Sequence, residues 1–291
     1  MSTPSLPLVA VAPEIPEAWT SRLHAHARVI PLSSIPADAD AEVAGVLTIL
    51  TMRVDESMLA RFPKLRVVSN MAVGVDNIDL AACERRGVHV GNTPGVLTDA
   101  TADIAMTLIL SVTRRAFVAS RDAREGRWGP WSPTGWLGAS LRGKRLGVVG
   151  LGAIGRATAT RARSFGMHIC YSGPSRKLAA EAALDASWLP LTELLASADV
   201  VSLHCPLLEA THHLIDTIAL RSMKPTSALI NTARGDVVDQ VALERALDEG
   251  WIGGAGLDVT TPEPLPPTHA LYRRDDCLIT PHIGSATVEA R

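Results

Sequence analysis

The run Gly150-Leu151-Gly152-Ala153-Ile154-Gly155 fits GxGxxG, the turn that cradles the pyrophosphate of a dinucleotide. Alone the string is weak, because glycines and small residues are common in this chain. Its setting strengthens it. The run follows the apolar stretch 146–149 and opens a helical pattern in which Ala157, Ala159 and Ala162 permit close packing. Gly150 then allows the tight turn, Gly152 lets the backbone approach a pyrophosphate, and Gly155 lets the helix pack on the strand. The free N–H groups of the helix start, around Ala153 and Ile154, face the phosphates. A second glycine cluster, Gly253-Gly254-Ala255-Gly256, precedes a strand and reads as a packing feature.

The cofactor's identity is expected to be written about 20 residues further on, where an acidic side chain would hold the ribose 2′-OH of NAD. The segment there is Tyr171-Ser172-Gly173-Pro174-Ser175-Arg176-Lys177, which has no carboxylate. Ser172, Ser175 and Arg176, with Lys177, offer the hydroxyls and cations that a 2′-phosphate needs. NADP(H) is the preferred cofactor and NAD remains possible. The plainer reading makes Arg176 and Lys177 a solvated helix start.

Three further polar elements stand at the ends of predicted strands, where open α/β sheets place ligand contacts. They are 230–236 with Arg234, 256–264 with Asp258 and Glu263, and 280–285 with His282, Gly284 and Ser285. Singly, each has an ordinary reading: a structural histidine, a surface arginine, a Glu-Pro turn, a capping aspartate, an N-cap serine. Their order carries more. With Val73-Gly74-Val75-Asp76, Asn92-Thr93-Pro94-Gly95-Val96-Leu97-Thr98, the glycine run and Met223-Lys224-Pro225, they make the chain resemble the D-2-hydroxyacid dehydrogenases. The resemblance is closest to the glyoxylate/hydroxypyruvate reductase branch and covers nearly everything from about residue 70 to residue 291.

That resemblance implies an α/β fold of two domains, a flavodoxin-like substrate domain over 1–98 and a Rossmann-type coenzyme domain over 99–282. Residues 283–291 would begin the return to the substrate domain, and the active site would lie in the cleft. It implies NAD(P)H-dependent reduction of a small 2-oxo acid, glyoxylate or hydroxypyruvate, with Arg234, Glu263 and His282 as the catalytic set. The chemistry is sensible for these residue types. Hydride delivery to C2 leaves an alkoxide, and an imidazole with a reference pKa of about 6.5 can supply its proton near neutrality. Glu263 would orient that imidazole and favour its protonated form. Arg234 would fork onto the carboxylate and keto oxygens.

The same resemblance implies that the Val73 and Gly74 amides receive the substrate carboxylate, with Ser285 near it. Asp258 and Gly284 would hold the nicotinamide carboxamide, while Cys205, Pro206, Thr211, Thr232 and Ala233 line the cofactor path. The Trp128/Trp131/Trp136 loop resembles a segment that contacts the twofold-related subunit, so a homodimer is expected. Glu263 argues against a formate-oxidising relative, which typically has Gln there. A phosphoglycerate dehydrogenase remains an alternative, although no regulatory domain fits this length; a second is a cofactor-binding, catalytically impaired sensor like the corepressors that resemble this family. Family members continue for a few tens of residues into a helix that returns to the substrate domain, and the expected fold here lacks that helix.

The elements that must position these residues alternate in the manner of a parallel α/β sheet. Strands are expected at 8–12, 45–50, 67–70 and 89–91, with helices at 55–61 and 80–86. A long apolar helix over 101–124 leads into the Trp/Pro/Gly-rich loop 127–136. Strands then follow at 145–149, 168–171, 200–204, 228–231, 254–258 and 277–280, with helices at 154–165, 191–197, 216–223 and 240–248. Ala105, Met106, Leu108, Ile109 and Leu110 look too continuous for a helix with one exposed face, which is a second sign of burial in a dimer.

Composition bounds the remainder. Of 291 residues, 47% are apolar and 20% charged, and 28 basic side chains against 30 acidic ones leave a net charge of -2. This is a folded chain with no basic excess to suggest nucleic acid or an anionic membrane as partner. The four cysteines form no CxxC pair and read as buried thiols of a cytoplasmic protein. The apolar segment 6–12 lacks the preceding basic residues of a signal peptide. No metal is expected: His204, His212 and His213 have no carboxylate or thiol at ligand spacing. Ser69 and Ser202 lack a nucleophile-elbow pattern.

Overall fold

The computed structural model describes residues 6–291. The chain divides into two compact units, one running to Pro94 and the other from Gly95 to Arg291; residues 283–291 group with the second.

The first unit runs β1 (Leu8–Val11), α1 (Glu17–Thr20), β2 (Arg28–Pro31), β3 (Val43–Thr48), α2 (Glu56–Arg61), β4 (Val67–Asn70), α3 (Leu80–Arg85) and β5 (His89–Gly91). Its five strands are all parallel in the order β2-β1-β3-β4-β5, the flavodoxin-like arrangement. Leu8, Val43, Val46, Leu59, Phe62 and Val68 form the core beneath it. Helices α2 and α3 start where aspartates supply caps: Asp55 accepts from the Met58 N–H and Asp79 from the Ala82 N–H. Each such cap contributes about 1 kcal/mol.

The second unit begins with α4 (Thr98–Thr113) and α5 (Ala116–Arg124), followed by β6 (Arg145–Val149), α6 (Ala153–Ser164), β7 (His168–Ser172), α7 (Leu178–Leu184) and β8 (Ala186–Trp188). It continues through α8 (Leu191–Ser197), β9 (Val200–Leu203), α9 (Thr217–Ser222), β10 (Ala228–Asn231), α10 (Gln240–Asp248), β11 (Gly254–Leu257) and β12 (Cys277–Ile279). The seven strands are parallel in the order β12-β11-β10-β9-β6-β7-β8. Counted from β6, this is the Rossmann order with one strand added beyond β11. Every residue of β9, β10 and β11 is buried, as expected of central parallel strands covered on both faces.

Two expectations are corrected here. The helix expected over 101–124 is two helices, because the chain turns at Arg115, whose φ of 53° lies in the left-handed region. The apolar side chains of α4 do not need a second subunit to cover them. Met106, Leu108 and Ile109 are buried in the unit's own core with Leu146, Val148 and Ile230, and the helix lies on β10 and β11. Gly254 and Gly256 allow that approach: a Cβ on Gly256 would stand 3.0 Å from the Leu108 Cβ. The second glycine cluster is therefore a packing feature, as expected. The pieces α1, β2 and β8 escaped the sequence reading because each is too brief to show a period, and α7 was not expected either.

Candidate active site

All seven strands of the second unit point the same way, so the loops that follow them share one edge of the sheet. Strand order reverses between β6 and β9, which makes the crevice outside their carboxyl ends the place for a ligand. The glycine turn leaves β6 there. Gly150 has φ 93°, and a Cβ on it would lie 2.8 Å from the Cys205 N and 2.9 Å from the His204 carbonyl. Glycine is required twice over, by conformation and by the approach of the β9 loop. Gly152 caps α6 with open space around it, and a Cβ on Gly155 would collide with the Gly150 carbonyl oxygen. The first-turn N–H groups of α6 therefore face outward beneath an unobstructed backbone, which suits a dinucleotide pyrophosphate. Thr232, on the neighbouring β10 loop, has a buried hydroxyl with no hydrogen-bond partner among the described residues.

At the end of β7, Ser172 is buried and its carbonyl receives the Gly150 N–H at 2.9 Å. Ser175 and Arg176 are exposed. Arg176 is held by a group that the sequence reading missed: its Nε and Nη2 fork onto Glu181 of α7 at 3.1 and 2.5 Å. The Tyr171 hydroxyl donates to the same carboxylate at 2.6 Å and accepts the Lys177 N–H at 2.6 Å. The Arg176 guanidinium, and then the Tyr171 hydroxyl, pull the Glu181 carboxyl down to about 2. A carboxylate one helical turn into α7 thus fixes the cation, and Lys177 does stand at the helix start.

Beyond β9, burial pushes the Cys205 thiol up to about 11, so it is no nucleophile. The Thr211 hydroxyl donates to the Pro206 carbonyl at 2.6 Å and accepts the Leu208 N–H at 2.8 Å, which closes the 206–211 loop on itself. His204 is kept neutral by burial, its pKa depressed to about 4, and its Nε2 lies 2.9 Å from the Ser202 hydroxyl.

The three adjacent loops after β10, β11 and β12 carry Arg234, Glu263 and His282. Asn231, 1% exposed, fastens the first of these: its side chain donates to the Arg234 carbonyl at 2.8 Å and accepts the Ala233 N–H at 3.0 Å. The Arg234 Nη1 donates to the Ala233 carbonyl at 2.8 Å. His282 Nδ1 lies 2.5 Å from Glu263 Oε1, with both side chains partly exposed. With Nδ1 engaged, Nε2 is the ring nitrogen left to act on a ligand. Asp258, 2% exposed, receives the Ile283 N–H at 2.9 Å, the Gly284 N–H at 2.8 Å and the Thr280 hydroxyl at 2.6 Å. It organises the turn that presents His282. A Cβ on Gly284 would crowd the Asp258 carboxylate and Thr101, whose hydroxyl donates to the Gly284 carbonyl at 3.1 Å. Ser285 follows in an irregular turn and caps no helix.

Val73 and Gly74 belong to the first unit, in the loop after β4. Two asparagines that the sequence reading assigned no role fix their peptides: Asn92 Nδ2 donates to the Val73 carbonyl at 2.9 Å and Asn70 Nδ2 to the Gly74 carbonyl at 2.8 Å. Asn77 braces Asn70 and ties the loop to the Ile49 and Met52 carbonyls. The one signal in the sequence was a fully polar amide at the end of an apolar strand, which asks for buried partners.

Residues 106–284 match the model of the NAD binding domain of D-isomer specific 2-hydroxyacid dehydrogenases. The chain is 43% identical over 293 residues to a glyoxylate reductase of Korarchaeum cryptofilum (strain OPF8), an alignment covering 98% of this chain and 88% of that one. It is 48% identical over 254 residues to a glyoxylate reductase of Thermococcus litoralis, covering 86% and 76% respectively. Among solved structures it is similar to an NADPH-dependent glyoxylate/hydroxypyruvate reductase of Sinorhizobium meliloti in complex with NADP and malonate. That match has TM-score 0.88 and 32% identity, and covers 98% of this chain and 89% of that chain.

Proposed function

The chain belongs to the D-isomer specific 2-hydroxyacid dehydrogenase family, and from that premise we propose that it reduces glyoxylate to the achiral glycolate and hydroxypyruvate to its D-2-hydroxy acid, with NADPH as the preferred reductant. The single observation that carries this reading is the 2.5 Å contact of His282 Nδ1 with Glu263, on a loop neighbouring that of Arg234 at the edge where the glycine turn opens.

The roles follow from the chemistry of each group. Gly150, Gly152, Ala153, Ile154 and Gly155 hold the pyrophosphate, Ser172, Ser175 and Arg176 the 2′-phosphate, and Cys205, Pro206, Thr211, Thr232, Ala233, Asp258 and Gly284 line the remaining cofactor path. When bound, the reduced nicotinamide supplies a hydride to C2. His282, steered by Glu263, delivers a proton from Nε2 to the oxygen on that carbon. Arg234 polarises the carbonyl and fixes the carboxylate, where fixed donors aimed at developing negative charge lower the barrier. The Val73 and Gly74 amides and Ser285 complete carboxylate recognition, with the first unit serving as the substrate domain and the second as the coenzyme domain.

A homodimer is part of the proposal, now supported by the exposed Trp128 and Trp131, 74% and 86% accessible, instead of by α4. Among the described residues no helix is long and apolar enough to cross a membrane, and the four free thiols are consistent with a cytoplasmic location.

The test is NADPH and NADH oxidation at 340 nm against glyoxylate, hydroxypyruvate, pyruvate and a phosphorylated 2-oxo acid, with the oligomeric state measured by light scattering. Turnover of glyoxylate or hydroxypyruvate that His282→Asn lowers by roughly 100-fold or more is expected. Tight cofactor binding with no turnover of any of the four would reject the reading.

A further inference from the structure

In sequence, His212 and His213 have no partner ligand; folding supplies one. The turn at Gly235–Val237, directly after Arg234, runs beside them. The His213 N–H donates to the Asp236 carbonyl at 2.8 Å, the Ile215 N–H donates to the Val237 carbonyl at 3.1 Å, and Ile215 pairs with Val238 in a parallel bridge. One ligating atom from each of His212, His213 and Asp236 lies within 4.8 Å of the other two. Both imidazoles are exposed and stack with centroids 4.0 Å apart. Donors around a tetrahedral ion with bonds of about 2.0 Å sit roughly 3.3 Å apart, so the three groups need to close by no more than about 1.5 Å.

We propose that His212, His213 and Asp236 bind a divalent transition ion, Zn2+ in the first instance, and that its occupancy slows turnover. Two imidazoles and one carboxylate select borderline ions over Mg2+ or Ca2+, which prefer oxygen. The Thr261 hydroxyl donates to Asp236 Oδ1 at 2.8 Å, which leaves Oδ2 to the ion, and the Thr261 N–H donates to Gln240 Oε1 at 2.9 Å. Asp236 therefore joins two catalytic loops. It stands two residues after Arg234, and its hydroxyl partner stands two residues before Glu263. An ion that draws Asp236 outward disturbs both loops at once. This coupling rests on the reading of Arg234 and Glu263 as catalytic; binding of the ion does not.

The experiment uses the full chain, stripped with EDTA and desalted, and a His212→Gln/His213→Asn double variant. Asparagine is chosen at 213 because the backbone there has φ 50°, which asparagine tolerates. Titration with Co2+ followed by visible absorption, and with Zn2+ by calorimetry, should show one ion per chain at micromolar concentration. The double variant should bind about tenfold or more weakly. Metal-free activities should agree, and Zn2+ should lower kcat severalfold in the parent chain but not in the variant. Unchanged stoichiometry and affinity in the variant, or no saturable binding to the parent, overturns the site. Equal inhibition of both chains, or binding without inhibition, overturns the coupling. Ion binding in a chain with no reductase activity leaves the site standing and removes the functional reading instead.

Discussion

The backbone of His282 hangs from Asp258. The His282 N–H donates to the Asp258 carbonyl at 2.9 Å, and the next two N–H groups, of Ile283 and Gly284, enter the Asp258 carboxylate at 2.9 and 2.8 Å. His282 itself has φ 51°, a left-handed conformation costing a non-glycine residue about 1 kcal/mol, which persists only where its surroundings over-determine it. Asp258→Asn keeps one acceptor oxygen and turns an N–H2 group toward a backbone N–H. We expect kcat to fall roughly tenfold to 100-fold, with the urea midpoint lowered by the equivalent of about 1–3 kcal/mol. Retained kcat in a folded Asp258→Asn protein would mean that the turn does not depend on this carboxylate.

Glu263 meets His282 through one oxygen, at 2.5 Å, and no other residue holds that ring nitrogen among the described residues. Glu263→Gln preserves shape but removes the charge that fixes the ring's orientation through the Nδ1 contact. The expected signature is a loss in kcat of about 100-fold with the affinity for NADPH, read by fluorescence titration, unchanged. A parallel loss of NADPH affinity would assign Glu263 to cofactor binding.

Arg176 cannot be both a solvated helix start and a phosphate ligand of equal importance, and its fork on Glu181 bears on which it is. A guanidinium held on one edge by a carboxylate keeps its other N–H groups in a fixed plane, so less entropy is lost when a phosphate docks. Arg176→Ala should raise KM for NADPH by about tenfold or more while leaving KM for NADH nearly unchanged. Equal changes for the two cofactors would show that Arg176 only caps the start of α7.

The Asn92 clamp makes a prediction confined to the first unit. Because a trans peptide points its C=O and N–H in opposite directions, holding the Val73 carbonyl aims the Gly74 N–H away from Asn92. Asn92→Ala frees that peptide to rotate. KM for the 2-oxo acid should rise by about tenfold, the cost of one poorly aimed charge-assisted hydrogen bond, with a smaller change in kcat. A kcat loss at unchanged KM would contradict the assignment of these amides to the carboxylate.

Much of this was legible in the chain because the groups concerned act through short spacings or fixed order. The glycines at 150 and 155 stand where a Cβ would collide with backbone, as their spacing requires, and Glu263 meets His282 as the resemblance implied. What escaped was set by where side chains turn once the loops have formed, near in sequence or far. Asn70 and Asn92 meet Gly74 and Val73 across a loop, Glu181 reaches back to Arg176, and Asp236 reaches His213 because the chain after β9 pairs with the chain after β10 at Ile215 and Val238. The break at Arg115 was hidden because a left-handed arginine leaves no mark on hydrophobic period. The apolar face of α4 was assigned to a second subunit because sequence cannot say which of two surfaces a buried helix face meets.

The tryptophan loop is anchored at Trp136 and Arg127 by Asp122, and acid should release that anchor. Asp122 accepts the Trp136 indole N–H at 2.9 Å and pairs with Arg127 and Arg121. The indole hydrogen bond first, and then the Arg127 guanidinium, hold its carboxyl at about 2, below the ordinary value of 3.8. A depressed folded-state pKa means that the anchoring is fully present above about pH 4 and is lost as pH falls from about 4 toward about 2. Tryptophan emission should shift red, and acrylamide quenching should rise, across that window before far-UV circular dichroism changes. The step should be absent from Trp136→Phe, while Asp122→Asn should show the released emission already at pH 7. Asp122→Asn with parent-like emission and quenching at pH 7 would show that the loop is held by its other contacts, and the surface offered for a second subunit would then not depend on this ion-paired anchor.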